Sequence, residues 1–233
     1  MMMRVAIAGV LGRMGTIARA AIEAADDCTF AGGFARAADA SAQTFDDLDA
    51  LFATLRPDVL LDVTTHPASV DISMRSLAAG VPVVVGATGW TDAERAALGA
   101  EAEQRGLGAL IVPNFALGAV LMMRFAEMAA KHFPTIEIVE LHHDAKKDAP
   151  SGTARATAER IVAAGGPARV PIHSVRLRGL VAHQEVLFGG DGELLTLRHD
   201  ALSREAFAAG ILAAVRAVRG LRGLTVGLDG ILG

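Results

Sequence analysis

The sequence predicts an α/β protein in which a doubly wound parallel sheet is followed by a smaller α+β unit with a mixed sheet. Three observations support this prediction. A glycine-rich turn joins an apolar strand to an alanine-rich helix near the start of the chain. Short Val/Ile/Leu runs then alternate with helical stretches, a pattern typical of parallel strands covered on both faces. After residue 113 the pattern changes to short strands spaced as in a mixed sheet.

The elements of the first half follow in order from their apolar patterns. Residues 4–8 form an apolar run that predicts a buried strand, and the alanine-rich residues 14–25 predict the helix after the turn. Further buried strands, with helices between them, are predicted at residues 29–34, 59–64, 81–85 and 109–112.

The second half predicts a different order of elements. A helix is expected over residues 117–131, a strand over 136–141 and, after a polar segment, a second helix over 153–164. Later strands are expected near residues 173–178, 185–188 and 194–198, and a last helix, which either unit could hold, over 204–219.

Composition excludes several classes of function. The 233 residues are 52% hydrophobic, enough for a substantial core, and the net charge of -4 with interspersed acids and bases argues against a nucleic-acid partner. No apolar stretch suits a membrane span or a signal peptide. The single cysteine, Cys28, cannot form an internal disulfide or a multi-cysteine zinc site, so we expect a cytoplasmic protein without a metal. The absence of tyrosine excludes a Tyr/Lys proton-donor arrangement.

The glycines at the first turn are the first candidate site. Gly9, Gly12 and Gly15 are spaced G-x-x-G-x-x-G between the first strand and the first helix. Such glycines permit a tight turn, close approach of the backbone to a pyrophosphate and helix packing, while the helix N-terminus attracts phosphates. The alternative is a glycine-rich turn needed only for packing. The strand before the turn and the helix after it favour a dinucleotide.

The end of the second strand bears on the choice of cofactor. An NAD-specific protein places an acid there for the ribose hydroxyls, but this chain has Ala35 followed by Arg36. The guanidinium can bind a 2′-phosphate in a bidentate manner, which predicts NADPH. The alternative is that Arg36 is a solvated surface residue.

A cluster of histidines and lysines forms the third candidate site. His142, His143, Lys146 and Lys147 lie within six positions at a predicted strand exit, and a Pro-Ser-Gly-Thr sequence opens the next helix. Ser151 is a natural N-cap, and amides at the helix start can bind a carboxylate. A histidine suits proton transfer near neutral pH, and lysines suit anion binding. The alternative is a solvated charged loop before an ordinary capped helix.

Four motifs in this order resemble the dihydrodipicolinate reductase family. Residues 140–153 resemble its E-x-H-H-x-x-K-x-D-x-P-S-G-T signature, and residues 5–15 resemble its V-A-I-A-G-x-x-G-R-M-G opening. Residues 86–90 resemble its G-T-T-G-[FW] turn, and residues 113–118 its P-N-F-S-x-G segment. Together the motifs cover the chain from residue 5 into its second half.

The resemblance implies NAD(P)H-dependent reduction of 4-hydroxy-tetrahydrodipicolinate in diaminopimelate and lysine biosynthesis, by a homotetramer. It implies a Rossmann-like dinucleotide-binding domain over residues 1–113, a substrate-binding and oligomerisation domain over 114–207, and a return to the first domain over 208–233. His142 corresponds to the proton donor and Lys146 to its charged partner. The substrate-binding residues expected are His143, Ser151, Gly152 and Thr153. The cofactor-binding residues expected are Gly9, Val10, Leu11, Gly12, Arg13, Met14, Gly15, Arg36, Gly86, Ala87, Thr88, Val112, Pro113, Asn114 and Phe115.

The chain also departs from the family pattern. Ala35 replaces an acid common in members that use NADH readily, Ala87 replaces a threonine, and residues 62–67 are one residue longer than the usual D-F-T-x-P. NADPH is therefore the expected preferred cofactor, with NADH as the second. Two alternative functions remain open. Another two-domain NAD(P)-dependent amino or imino acid dehydrogenase would not need residues 142–153, and a nucleotide-sensing regulator would leave them without a purpose.

Overall fold

The computed structural model describes residues 2–37, 39 and 43–232. The chain divides into a large unit, Met1–Phe115 with Phe207–Gly233, and a small unit, Ala116–Ala206. The described strands are β1 (Met3–Ala8), β2 (Cys28–Phe34), β3 (Thr44–Phe45), β4 (Val59–Asp62), β5 (Val83–Val85), β6 (Gly108–Ile111), β7 (Thr135–His142), β8 (Ile172–Arg176), β9 (Ala182–Gly190), β10 (Glu193–Ala201) and β11 (Gly223–Val226). The described α-helices are α1 (Arg13–Glu23), α2 (Leu48–Leu55), α3 (Ala68–Ala78), α4 (Asp92–Arg105), α5 (Leu117–Ala130), α6 (Gly152–Ala163) and α7 (Ala208–Val218).

The large unit contains the predicted doubly wound parallel sheet. Its seven strands lie in the order β11-β6-β5-β4-β1-β2-β3, and each neighbouring pair is parallel. The strand order reverses at β1, which has β2 on one side and β4 on the other. Ligands of such sheets bind beyond the carboxyl ends of the strands at this reversal. The prediction of a Rossmann-like fold is therefore confirmed.

Apolar side chains of the central strands form the core of the large unit. Strands β4, β5 and β6 are buried along their whole length, because helices cover both faces of the sheet. One face packs against α1 and α7, while Leu48, Leu77 and Leu98 from α2, α3 and α4 join the core cluster of the other. Helix α7 approaches closely at Gly210, where a Cβ atom would lie 1.9 Å from the carbonyl oxygen of Phe115. The last part of the chain thus belongs to this unit.

The small unit is built on a mixed sheet. Its strand order is β10-β9-β7-β8, with β7 parallel to β8 and antiparallel to β9. Alternate side chains of β7 and β9, among them Ile138 and Phe188, are fully buried against Met122 of α5 and Ile161 of α6. Truncation of a buried side chain such as Phe188 to alanine typically costs about 3–5 kcal/mol. The burial of alternate apolar side chains therefore determines which face of the sheet packs against α5 and α6.

Several elements differ from the sequence predictions. Strands β9 and β10 pair over nine residues each, because Gly189 and Gly190 continue the strand up to the turn at Gly192. The predicted helix over residues 204–219 is a 3-10 turn, Arg204–Phe207, followed by α7. Strands β3 and β11 were not predicted, since runs of two and four residues carry too little periodicity. Within the described residues, none of the helices combines the length and the apolar character needed to cross a membrane.

Candidate active site

The predicted dinucleotide turn lies directly after β1. Gly9 has a φ of 81°, and the amide of Gly12 donates to its carbonyl oxygen at 2.9 Å, which closes the turn. A Cβ atom on Gly15 would lie 2.2 Å from the carbonyl oxygen of Gly9 and 2.5 Å from that of Val10. Backbone contacts therefore require a glycine at the start and at the end of the motif. They also press the turn against the first helix.

The start of α1 suits an anion. Gly12 is its N-cap, no side chain caps the helix, and its first turn carries no acidic residue. Leu11, Gly12 and Arg13 are exposed at this point, whereas Val10 is buried and Met14 is half-buried. Amide donors at an uncapped helix start attract phosphate groups. The glycine turn and this helix start thus fit the pyrophosphate of a dinucleotide.

Two other predicted cofactor segments meet at the same edge of the large sheet. A Cβ atom on Gly86, directly after β5, would lie 2.8 Å from the ring of Phe115, which follows β6. Ala87 and Val112 are buried, whereas Thr88 and Pro113 are exposed, and Asn114 is half-buried. Because parallel strands end at a common edge, these segments lie on the side of the sheet that carries the glycine turn.

Arg36 follows the end of β2, the neighbour of β1. Its side chain is exposed, and the amide of Ala35 donates to the carbonyl oxygen of Phe45 at 2.9 Å. The strand thus continues its pairing up to the residue before Arg36. Residues 38 and 40–42, just beyond it, lie outside the described part of the chain.

Sequence reasoning overlooked Asp62 as a site residue. This carboxyl lies at the end of β4, is fully buried, and burial raises its pKa. Its Oδ1 accepts hydrogen bonds from the amide of Thr64 at 2.9 Å and from its hydroxyl at 2.6 Å, and its Oδ2 accepts from Ser69 at 2.5 Å. A Cβ atom on Gly9 would lie 3.1 Å from the Thr64 methyl group. Asp62 therefore shapes the loop that packs against the glycine turn.

In the small unit, His142 of the third candidate site is hydrogen-bonded to a buried carboxylate. Glu140 and His142 are two residues apart on β7, so their side chains lie on the same face of the sheet. The distance between Nδ1 of His142 and Oε2 of Glu140 is 2.5 Å. Arg176 of β8 donates to both carboxylate oxygens at 2.8 Å, and the amide of Ser151 donates to Oε1 at 3.1 Å. The sequence predicted neither Glu140 nor Arg176 as a functional residue.

Burial and hydrogen bonds act in opposite directions on the charges of Glu140 and His142. Burial disfavours the charge on Glu140, but hydrogen bonds from Arg176, Ser174 and His142 outweigh it and lower the pKa of the carboxyl to about 2. Burial lowers the pKa of His142, and the carboxylate of Glu140 opposes that change. Glu140 is thus an anion at neutral pH, with His142 as its neighbour.

The helix start predicted to bind an anion is formed as expected. Ser151 is the N-cap of α6, and its hydroxyl accepts a hydrogen bond from the amide of Ala154 at 3.1 Å. Gly152 is exposed, and a Cβ atom there would contact nothing within 4 Å. Thr153 lies beside it, half-buried. The prediction of a serine-capped helix is confirmed.

The loop between β7 and α6 carries the remaining predicted residues. His143 is half-buried, and the ammonium group of Lys146 donates to Asp148 at 2.8 Å. This hydrogen bond lowers the pKa of the Asp148 carboxyl. Asp148 is a further residue that the sequence did not single out. Nowhere in the described ranges do three or more His, Cys, Asp or Glu side chains form a group that could hold a metal ion.

The chain is similar to known proteins along its whole length. The family model described as "Dihydrodipicolinate reductase, N-terminus" matches residues 3–115, and "Dihydrodipicolinate reductase, C-terminus" matches residues 118–232. The 4-hydroxy-tetrahydrodipicolinate reductase of Geobacillus kaustophilus is 43% identical, over 100% of both chains. That of Mycolicibacterium smegmatis is 45% identical, over 99% of both chains.

Solved structures give the same result for the fold. The dipicolinate-bound dihydrodipicolinate reductase of Paenisporosarcina sp. TG-14 is 39% identical, with a TM-score of 0.92 over 100% of both chains. The scyllo-inositol dehydrogenase of Lactobacillus casei, solved with NAD(H), has a TM-score of 0.68 at 12% identity over 98% of this chain and 92% of its own, which shows a shared fold alone. On the family models, the identity and the fold together, this chain belongs to the dihydrodipicolinate reductase family.

Proposed function

We propose that this chain reduces 4-hydroxy-tetrahydrodipicolinate to tetrahydrodipicolinate in diaminopimelate and lysine biosynthesis, with a reduced nicotinamide cofactor. Two relatives that carry that reductase's name align with this chain over 99–100% of both lengths. One observation in the structure carries the proposal. His142 and the start of α6 are hydrogen-bonded to the same carboxylate, that of Glu140. We therefore assign the proton donor and a set of amide donors for an anion to one end of the small sheet.

The residues of the small unit supply substrate binding and the proton. The substrate carries two carboxylates, and we assign their contacts to His143, Lys146 and the start of α6 at Ser151, Gly152 and Thr153. Ser151 acts through the helix that it caps, because its hydroxyl and its amide are both hydrogen-bonded within the chain. His142 donates the proton from Nε2, since Nδ1 is bound to Glu140.

Lys146 stabilises negative charge near that proton donor. Its ammonium group is held by Asp148, a residue of the same loop. An ion pair with one surface carboxylate leaves two of the three ammonium protons for a ligand. Asp148 thus orients Lys146 before the substrate arrives.

The cofactor belongs to the large unit. Its pyrophosphate fits the turn at Gly9–Gly15 and the open start of α1, and we assign further contacts to residues 86–88 and 112–115. When bound, the dihydronicotinamide supplies the hydride. Ala35 neither accepts hydrogen bonds from the ribose nor repels a 2′-phosphate, and the exposed guanidinium of Arg36 follows it. We therefore propose NADPH as the preferred cofactor and NADH as the second.

The open face of the small sheet supports an oligomer. Helices α5 and α6 pack on one face, while the other face carries Val139, Leu141 and Leu187 half-buried and Leu194 68% exposed. The same face carries Glu185 paired with Arg198, and a surface that mixes apolar and charged side chains in this way suits a protein interface. We propose that the protein is a homotetramer with this face in one of its interfaces, to be checked by light scattering of the purified protein.

We place the protein in the cytoplasm, in keeping with a biosynthetic enzyme whose Cys28 is a free, buried thiol.

A coupled assay tests the reaction. The synthase that makes 4-hydroxy-tetrahydrodipicolinate generates the substrate in place, and oxidation of NADPH is followed by its absorbance. We expect oxidation only when the synthase, its two substrates and this protein are all present. No oxidation by a folded protein that binds NADPH would contradict the proposed function.

A further inference from the structure

The carboxylate of Glu140 is the centre of a buried hydrogen-bond cluster. Its Oε1 accepts from the amide of Ser151 and from Nη2 of Arg176, and its Oε2 accepts from Nη1 of Arg176 and from His142. Nη2 of Arg176 also donates to the carbonyl oxygen of Asp148 at 2.6 Å. The side chain of Glu140 is 0% exposed. These hydrogen bonds fix the orientation of the carboxylate.

Folding alone does not explain a charged cluster at this position. A buried ion pair is often no more stable than apolar residues of similar volume, because desolvation of the charges offsets their attraction. The neighbouring inward positions of the same strand, Ile136 and Ile138, are apolar and fully packed. Glu140 is the next inward residue along the strand and lies beside His142, whose side chain is 14% exposed. This position suggests a role for the charge in the reaction.

We propose that Glu140 is a positioning residue for proton transfer, accepting the Nδ1 proton of His142 so that Nε2 exchanges the proton with the substrate. The inference rests on the proposed function and adds a residue to it. A carboxylate bonded to one ring nitrogen fixes the tautomer and the ring orientation, and it stabilises the imidazolium. Arg176 and Ser151 keep that carboxylate ionised and in place. The same carboxylate therefore orients the proton donor and holds the start of α6.

The charges around His142 explain why an anion is needed. Lys146 from the loop and Arg176 from β8 both disfavour the imidazolium, as does burial, and Glu140 opposes all three. Without the negative charge of Glu140, His142 would lose its proton at lower pH. An amide at position 140 would also donate to Nδ1 and favour the wrong neutral tautomer.

The test combines Glu140→Gln, His142→Gln and the double variant. Glu127→Gln is the matched control, since it removes a carboxylate that pairs with Arg160 at 3.6 Å between α5 and α6, away from the cluster. For each variant we measure kcat, KM, the pH profile of kcat and thermal unfolding. We expect Glu140→Gln to lower kcat at least about tenfold, as for other partners that orient a histidine. Its activity should also fall at lower pH than that of the parent, while Glu127→Gln should match the parent.

The double variant separates positioning from a merely structural role. If Glu140 acts through His142, adding Glu140→Gln to His142→Gln should change kcat by less than about twofold, the usual limit of additivity errors. Equal losses in both backgrounds would overturn the proposal. An active parent with an unchanged Glu140→Gln enzyme would overturn it as well, whereas an inactive parent would contradict the proposed function itself.

A measurement on the parent covers the case in which Glu140→Gln does not fold. Nitrogen NMR of ¹⁵N-histidine-labelled protein distinguishes the two neutral tautomers, and loss of a signal in His142→Gln assigns the resonance. We expect the neutral ring of His142 to carry its proton on Nδ1. A proton on Nε2 would overturn the proposal.

Discussion

Replacement of Gly15 by alanine tests the cofactor site of the large unit. The added Cβ atom would lie 2.2 Å from the carbonyl oxygen of Gly9, so this gap must widen by about 1.2 Å to reach the 3.4 Å of an ordinary contact. The three nearest atoms, the Gly9 carbonyl oxygen and the carbonyl oxygen and carbon of Val10, all belong to the backbone of the turn, which cannot swing aside as a side chain does. Such overpacking typically costs about 1–3 kcal/mol. If the cost falls on the bound conformation of the turn, NADPH affinity decreases about 5- to 150-fold.

Calorimetric titration with NADPH and with dipicolinate measures this effect. Gly220→Ala is the matched control, because its Cβ atom would meet only the carbonyl oxygen of Ala217, at 3.5 Å. We expect normal NADPH affinity for the control, and unchanged dipicolinate affinity for both variants. A Gly15→Ala protein that binds NADPH within twofold of the parent would refute the steric argument.

Three further predictions concern cofactor choice, substrate binding and acid stability. Arg36→Ala should lose chiefly NADPH affinity, because a charged hydrogen bond contributes about 1.5–3 kcal/mol, and Ala35→Glu should shift preference towards NADH; equal steady-state use of both cofactors by the parent, unchanged in Arg36→Ala, would contradict this. Lys146→Ala should weaken dicarboxylate binding and leave NADPH binding intact, because we assign the substrate to the small unit and the cofactor to the large unit. A loss of both affinities in titrations would contradict that assignment. Hydrogen bonds from the Thr91 amide, from His66 and from the Thr91 hydroxyl lower the pKa of Glu94 to about 2. Its contribution to stability should therefore be present above the ordinary value of 4.5 and disappear as the pH falls towards 2, and urea unfolding of Glu94→Gln and parent should converge over that range; a difference independent of pH would contradict this.

The sequence was most informative where a local pattern has one structural solution. The buried strands of the large sheet could be predicted from continuous apolar runs, because both faces of each strand meet helices. The cap of α6 could be predicted because a serine hydroxyl at Ser151 satisfies an amide of the first helical turn. The glycine turn followed from its position between strand and helix.

Pairing over long distances in the sequence could not be predicted in the same way. Arg176 reaches Glu140 only because β8 pairs in parallel with β7, 36 residues away in the chain, with Arg176 beside His142. No local pattern gives that register. Glu140 itself had a usable signal, since a residue two positions before His142 on a strand must share its face. Prediction of Asp62 as a site residue would require the knowledge that β4 lies beside β1, which the pattern of strands and helices alone does not specify.

We assign the proton in the reduction of 4-hydroxy-tetrahydrodipicolinate to His142, and single-turnover kinetics isolate the step in which it is donated. Enzyme saturated with NADPH and in excess over freshly generated substrate is followed for the parent and for His142→Gln, and the dipicolinate affinity of both is measured by titration. We expect one cofactor oxidised per substrate by the parent, and a rate lower by about 100- to 10,000-fold in His142→Gln with unchanged dipicolinate affinity. A folded His142→Gln enzyme that reacts at nearly the parent rate would contradict the assignment.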